Sequence, residues 1–136
     1  MSAALDALIP HRAPMQWIDA LTDCSGTTAT ATACFRAGHF AVDKGAALET
    51  ALVECVAQTA AAALGQRARA AGRVGAADKG MLGAVSRFEI RSRPPLDKTL
   101  TIAIRELRRL GPMLLISSTV SCEGQVIAAG ELSLYA

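Results

Sequence analysis

The stretch LETALVECVAQTAAAALG, residues 48–65, predicts one long helix that is apolar on nearly every side. Leucine, valine and alanine recur in it at helical spacing, and a helix of this kind has to be buried. A carboxylate, Glu54, nevertheless stands in its middle. Burying an ionised carboxyl group is costly unless the group is paired, hydrogen-bonded or protonated. We therefore expect Glu54 either to have a special role or to reach the helix surface and meet an arginine.

A glutamine follows this carboxylate at a distance of one helical turn. Gln58 lies four residues after Glu54, on the same face of the predicted helix, where its amide can orient the carboxyl group. A carboxyl group that is kept neutral near neutral pH can donate a proton, which is what a general acid needs. The pair therefore predicts acid catalysis as the functional alternative to a surface ion pair.

Strand-forming segments surround the helix along the chain. Thr and Ala alternate in residues 27–35, which predicts a half-buried strand, and residues 15–21 favour a short strand before it. Four longer strands are predicted after the helix, at 80–90, 99–110, 112–122 and 125–136. The short turns between neighbours force antiparallel pairing. A helix that is apolar all round cannot lie on a flat sheet with one face in water, so the sheet has to curl around it or a second subunit has to cover it. We expect one domain over residues 1–136 and, because strand edges stay exposed, a homodimer or higher homo-oligomer.

Positive charge is concentrated in residues 67–109, which hold eleven of the fourteen lysines and arginines and a net charge of +7. Such a segment favours an acidic partner such as a nucleic acid, a membrane surface or an acidic carrier protein, and it is equally compatible with a solvated Arg-rich face. Aromatic residues make up only 4% of the chain, too few for a base-stacking surface. Polar residues interrupt the long helix too early for a membrane span. We therefore expect neither nucleic acid nor a membrane as partner.

The cysteines do not predict a metal site. Cys24, Cys34, Cys55 and Cys122 lack CxxC spacing, and no apolar leader follows a basic start of the chain. We expect free thiols in a cytoplasmic protein, with no metal and no cofactor.

Four segments in sequence order carry a family resemblance. LIPHRAPMQWID (8–19) resembles the opening motif L-P-H-R-x-P-[FM]-x-x-[IV]-D, GHF (38–40) the start of a catalytic loop, and VECVAQ (53–58) the helix motif [IV]-E-A-x-A-Q. FEIRSRPPLDKTL (88–100) is similar to a strand followed by a Pro-rich turn. Together they span nearly the whole chain. The chain thus resembles the 3-hydroxyacyl-acyl-carrier-protein dehydratases of the hotdog fold, particularly the divergent members found in polyene and fatty acid clusters.

The resemblance implies an α+β hotdog fold, in which a curled antiparallel sheet of about six strands wraps around one long buried helix. It also implies a homodimer with its sites at the interface and a catalytic pair, His39 and Glu54, usually supplied by different subunits. His39 would take a proton from C2 of an (R)-3-hydroxyacyl thioester, and Glu54 would protonate the hydroxyl that leaves C3. Backbone N–H groups at the helix start would stabilise the charge on the thioester carbonyl.

The same resemblance implies contacts with the acyl chain and with acyl carrier protein. The substrate-binding candidates are Gln58, Gly45, Leu52, Val56 and Met81, and the carrier-protein candidates are Arg67, Arg69, Arg73, Arg91 and Arg93. His11 is a second histidine, whose position between Pro10 and Arg12 is more typical of a loop-fixing residue than of a catalytic one. Asp19 is expected to be a structural partner of a backbone group or an arginine.

The loop after His39 departs from the family pattern. HFAVDKGAALE, residues 39–49, lacks the prolines of the family's H-F-P-G-x-P, and His39 and Glu54 are fifteen positions apart, one more than in the family. Glu49 stands where the family has a glycine at the helix start, and Gly45 takes over that role only if the register shifts. Two alternatives therefore accompany the dehydratase. One is a thioesterase in which Glu54 activates water, and the other is a non-catalytic subunit that binds acyl carrier protein.

Overall fold

The long helix and the five longer strands predicted around it are present in a computed structural model of the chain, which describes residues 5–9, 15–39, 41–72 and 81–135. A 3₁₀ turn at Leu5–Ala7 comes first. The strands and the helix follow in the order β1 (Ala20–Ser25), β2 (Thr28–Ala33), β3 (Val42–Asp43), β4 (Ala46–Ala47), α1 (Thr50–Ala70), β5 (Met81–Ile90), β6 (Leu100–Leu110), β7 (Met113–Cys122) and β8 (Gln125–Tyr135).

Six of these strands form one sheet in the order β1-β2-β6-β7-β8-β5, and all neighbours are antiparallel. The short strands β3 and β4 form a separate hairpin. Helix α1 packs against β1, β2, β6, β7 and β8, so the sheet curls around it. The predicted fold, one long helix wrapped by a curled six-stranded antiparallel sheet, is therefore confirmed.

The helix is buried along nearly its whole length. Every residue from 51 to 68 is buried or half-buried, and Leu52, Cys55 and Val56 belong to the core cluster. Alanines on the inner face of β2 pack there as well, and their small side chains let the helix approach the sheet closely. No helix in the described ranges is long and apolar enough to cross a membrane.

The helix begins at Thr50 and ends at Ala70, whereas the sequence predicted residues 48–65 with Gly65 near its end. Gly65 lies inside the helix, at the point where the backbone of Leu8 passes close to it. A Cβ atom at this position would overlap the carbonyl oxygen of Leu8. The glycine thus makes room for the segment after the 3₁₀ turn and does not terminate the helix.

The strand predicted at residues 15–21 is wrong. The first strand begins at Ala20, and the segment before it has no strand structure. Its backbone groups instead bond to a side chain of the helix, as described below, and this use of the N–H and C=O groups replaces a strand ladder.

The β3–β4 hairpin is not predicted by any sequence pattern, because its strands are only two residues long. Lys44 and Gly45 form its turn with φ values of 54° and 80°. Two consecutive positive φ values are typical of the tight turn that joins twisted antiparallel strands. The hairpin gives the loop between His39 and the helix a fixed shape.

We predict that Gly65→Ala destabilises the protein by about 2 kcal/mol or more, because the new methyl group has to displace backbone atoms of Leu8. The free energy of unfolding from urea titration measures the loss. Arg69→Ala in the exposed last turn of the same helix is the control and should change it by less than about 0.5 kcal/mol. Equal effects of the two substitutions would contradict the close approach at Gly65.

Candidate functional site

The side chain of Gln58 is fully buried, and its amide makes four hydrogen bonds. Its Oε1 accepts from the backbone N–H of Trp17 at 2.8 Å and of Ile18 at 3.3 Å. Its Nε2 donates to the carbonyl oxygen of Met15 at 2.7 Å and to Glu54 Oε2 at 2.8 Å. One helical side chain therefore ties the segment before β1 to the helix and holds the carboxyl group of Glu54.

These bonds fix the orientation of the amide and, through it, the roles of the two oxygens of Glu54. Two backbone N–H groups can only donate, so the atom of Gln58 that faces them has to be the carbonyl oxygen. Its NH₂ group consequently faces Glu54, whose Oε2 acts as acceptor. When Glu54 is protonated, this hydrogen bond favours the proton on Oε1, because the carbonyl oxygen of a carboxylic acid is the better acceptor. The sequence-based expectation that Gln58 orients Glu54 agrees with this geometry.

His39 lies at the start of the loop that leads to the helix, and its ring is half-buried. Its Nδ1 accepts a hydrogen bond from the backbone N–H of Ala41 at 3.0 Å. The ring makes edge contacts with Phe35 and Trp17, with centroid distances of 5.0 and 5.4 Å. The two aromatic rings and the Ala41 N–H group together set the orientation of the imidazole.

Trp17 connects the two predicted catalytic residues. Its ring touches His39, and its backbone N–H donates to Gln58, which in turn binds Glu54. The sequence analysis missed Trp17 and Phe35 as members of the site. The motif PMQWID contains the tryptophan, but the strand predicted there assigned it only a place in the sheet.

Arg93, in the connection after β5, holds the β3–β4 hairpin. Its guanidinium group donates to the carbonyl oxygens of Ala47 (3.0 Å), Ala46 (2.8 Å) and Asp43. The backbone N–H of Ala47 donates to Pro94 O at 3.1 Å. Arg93 was predicted to bind carrier protein, and in the structure its donors are instead used inside the chain.

Glu49 also contacts this guanidinium group. Its carboxylate lies 3.6 Å from Arg93 Nε, so the charge that stands in place of the family's glycine is partly compensated. The backbone N–H groups of Ala51 and Leu52 donate to Leu48 O and Glu49 O, both at 3.0 Å. These two leading N–H groups of the helix therefore already have acceptors in the residues before it, because the first turn is wound more tightly.

The remaining substrate-binding candidates lie in different environments. Leu52 and Val56 are fully buried in the core cluster. Gly45 is in the hairpin turn, five positions before the first helical residue, so it does not take over the glycine position at the helix start. The backbone of Met81 pairs with Tyr135 at the start of β5, and its side chain lies outside the described residues. Contact of these residues with an acyl chain stays a prediction.

The carrier-protein candidates differ in their exposure. Arg67 forms an ion pair with Glu106 at 2.9 Å and is mostly buried. Arg69 and Arg91 are exposed. Arg73 and the second histidine, His11, lie outside the described residues. Among the four of these arginines that the structure describes, Arg69 and Arg91 are thus the two whose side chains are exposed to solvent.

The sequence also singled out Asp19 and the four cysteines. Partial burial raises the pKa of the Asp19 carboxyl group, while the charge of Arg36 and a hydrogen bond with the Cys34 backbone oppose that rise. All four cysteines are free thiols. Burial, with a contribution from the neighbouring Glu54 charge, raises the pKa of Cys55 far above its usual range, so this thiol is not a nucleophile. Within the described ranges, no cluster of His, Cys, Asp and Glu has the arrangement of a metal site.

We predict that Gln58→Leu lowers the free energy of unfolding by about 3 kcal/mol, because it leaves three backbone groups of residues 15–18 without their buried partner. Thermal and urea unfolding measure the loss. Thr59→Val is the matched control, since Thr59 is equally buried but bonds only to Cys55 O in its own helix. It should cost less than about 1.5 kcal/mol. A similar cost for both substitutions would contradict the network.

We predict that Arg93→Met loosens the β3–β4 hairpin. Hydrogen exchange at the amides of Ala47 and Leu48 should become about tenfold faster, because charge-assisted hydrogen bonds to three carbonyl oxygens are lost. Arg91→Met, two residues earlier and exposed, is the control and should leave both rates unchanged. Unchanged rates in the Arg93 variant would show that the hairpin does not depend on this guanidinium group.

The fold has close matches among solved structures. The dehydratase heterocomplex ApeI:P from Xenorhabdus doucetiae aligns with a TM-score of 0.90 and 19% identity, covering 99% of this chain and 91% of that one. The PaaI protein of the E. coli phenylacetic acid degradation operon reaches a TM-score of 0.68 at 11% identity, with 88% and 82% covered. A hypothetical thioesterase with coenzyme A from Streptococcus pneumoniae TIGR4 reaches 0.66 at 12% identity, with 97% and 89% covered. At such identities these similarities show the hotdog fold alone.

Sequence comparison identifies the family. No curated protein matches the chain. The model of the ApeP-like family, described as ApeP dehydratase, matches residues 3–136. Because this match spans nearly the whole chain, the chain belongs to the ApeP-like dehydratase family.

Proposed function

We propose that this protein dehydrates (R)-3-hydroxyacyl thioesters on acyl carrier protein to trans-2-enoyl thioesters, in fatty acid or polyene biosynthesis. His39 and Glu54 are its catalytic pair. The observation that carries the proposal is the hydrogen bond from the buried Gln58 amide to Glu54. A purely structural carboxylate does not need a buried amide that also fixes the segment next to the histidine.

The chemistry needs two groups that move protons and one that stabilises negative charge. A base removes the C2 proton next to the thioester carbonyl, and an acid protonates the hydroxyl group that leaves C3. Charge collects on the carbonyl oxygen in between and needs a donor. Glu54, with one oxygen fixed by Gln58, and His39, with its ring fixed by Ala41, provide groups that suit these tasks.

The basic segment supports an acidic carrier protein as partner. Arg69 and Arg91 are exposed, so their guanidinium groups are available to the acidic surface of acyl carrier protein or to its phosphopantetheine group. Arg67 and Arg93 bond within the chain and are weaker candidates. A reducing cytoplasm suits a chain whose four cysteines are free thiols.

An oligomer is supported by the edge strand β5. It pairs with β8 on one side, and residues 83–87 are exposed, including Val85 with 44% of its surface accessible. An exposed strand edge with an apolar side chain favours pairing with another chain. We propose a second hotdog subunit as that chain, either another copy or a paralogous one, since the X. doucetiae structure is a heterocomplex.

A non-catalytic subunit is the second candidate, and the helix start favours it. Glu49 and the internally bonded N–H groups of Ala51 and Leu52 make that end of the helix less suitable as an oxyanion site. A thioesterase in which Glu54 activates water uses the same carboxylate. The amide of Gln58 would orient Glu54 in a thioesterase as well, so the reaction products have to distinguish the two enzymes.

The test is a mass-spectrometric assay with (R)-3-hydroxyacyl thioesters on acyl carrier protein. The wild-type protein, alone and with its hotdog partner if one co-purifies, should release one water per substrate. Glu54→Gln and His39→Ala should each lower kcat by about a hundredfold or more.

The products separate the candidates. Free acid would identify a thioesterase and contradict the dehydratase. Carrier binding without turnover, also in the presence of the partner, would identify the non-catalytic subunit. Lys98→Ala is a suitable control for general damage, because Lys98 is exposed and its surface ion pair with Glu123 is 3.5 Å long.

A further inference from the structure

The hydrogen bond between Ala41 and His39 determines which ring nitrogen carries the proton. The backbone N–H of Ala41 lies 3.0 Å from His39 Nδ1, and an N–H group can only donate. Nδ1 therefore presents its lone pair to Ala41. In the neutral imidazole the proton is then on Nε2, and a doubly protonated ring would place two N–H groups against each other.

The Ala41 peptide that imposes this tautomer is held on its other side as well. Its carbonyl oxygen accepts from Leu48 N at 2.7 Å, and the residue is 2% exposed. The intervening hairpin is held by Arg93 through the carbonyl oxygens of Asp43, Ala46 and Ala47. Moving the proton to Nδ1 therefore requires the loop itself to rearrange.

We infer that His39 acts as a neutral hydrogen-bond donor through Nε2 toward the thioester carbonyl oxygen, and that Glu54 moves both protons of the dehydration. This role rests on the proposed function and reverses the roles that the family resemblance implies. A base needs a lone pair that can accept the substrate proton. In this tautomer the ring lone pair is on Nδ1, where it accepts the hydrogen bond from Ala41. A neutral imidazole is instead suited to polarising a carbonyl group.

The reaction balances with one carboxylate. Glu54 removes the C2 proton, the C–H electron pair moves into the enolate, and Nε2–H of His39 stabilises the charge on the carbonyl oxygen. The enolate then forms the C2–C3 double bond while the C3–O bond breaks, and Glu54 returns the proton to the leaving hydroxyl, which departs as water. Oε1 carries the proton in between, because Oε2 accepts from Gln58. The carboxylate is regenerated, and no other reactant is consumed.

The tautomer is tested directly by long-range ¹H–¹⁵N correlation NMR of the protein labelled with ¹⁵N-histidine, near neutral pH. The chain contains two histidines, and His11→Asn assigns the spectrum. The expected result is a His39 ring with its proton on Nε2. A ring with its proton on Nδ1 would overturn the inference.

Kinetics test the role. Glutamine can place an N–H donor near the position of Nε2 but is not a base, whereas asparagine reaches only as far as Nδ1. His39→Gln should retain about a tenth or more of the wild-type kcat, while His39→Asn and His39→Ala should lose about a hundredfold or more. A His39→Gln variant as inactive as His39→Ala would overturn the donor role.

The two failures are distinguishable. Absence of turnover in the wild-type protein, assembled with its partner, would overturn the proposed function. An Nδ1–H tautomer in an enzyme that does turn over would overturn only the role inferred for His39.

Discussion

The amide of Gln58, buried in the core, is the interaction on which the arrangement of the site depends. Burying an amide is favourable only when its donors and acceptor are all satisfied, and four hydrogen bonds satisfy this one. Three of its partners are backbone groups of residues 15–18, and the fourth is Glu54. The same side chain therefore keeps the segment before β1 out of the sheet and orients the carboxyl group at the centre of the helix.

The histidine side of the site depends on a second set of fixed groups. Trp17, held by Gln58, and Phe35 pack against the His39 ring, and Ala41 binds its Nδ1. Arg93 holds the hairpin that carries the chain from Ala41 to the helix. Residues 41–49 contain no proline, so hydrogen bonds rather than proline rings fix the shape of this loop.

Sequence patterns predicted the elements with strong periodicity, and the reasons for the errors are physical. The apolar helix, the Thr–Ala strand and the four long strands follow from side-chain spacing alone. The strand expected at 15–21 begins only at Ala20, because Gln58 binds the backbone groups of residues 15–18. This contact joins residues about forty positions apart, and no local pattern contains it. For the same reason the sequence did not predict that Arg93 bonds within the chain, since its partners lie in a hairpin too short to show a period. Gly65, expected near a helix end, instead makes space for Leu8.

The sequence predicts a candidate pair, His39 and Glu54, but it does not predict the hydrogen bonds that orient the two side chains. Spacing placed Gln58 on the face of Glu54, and the motif identified His39. The proton positions on the Glu54 carboxyl group and the His39 ring depend on the backbone N–H groups of residues 17, 18 and 41. Every residue except proline has such a group, so a sequence pattern cannot predict these bonds.

The most direct test of this account is a crystal structure of the assembled protein with a 3-hydroxyacyl pantetheine amide, a stable mimic of the thioester. We expect Glu54 Oε1 to lie about 3 Å from the C3 hydroxyl group and His39 Nε2 to lie at a similar distance from the carbonyl oxygen. An analogue bound away from Glu54, or with Nε2 directed at C2, would contradict it.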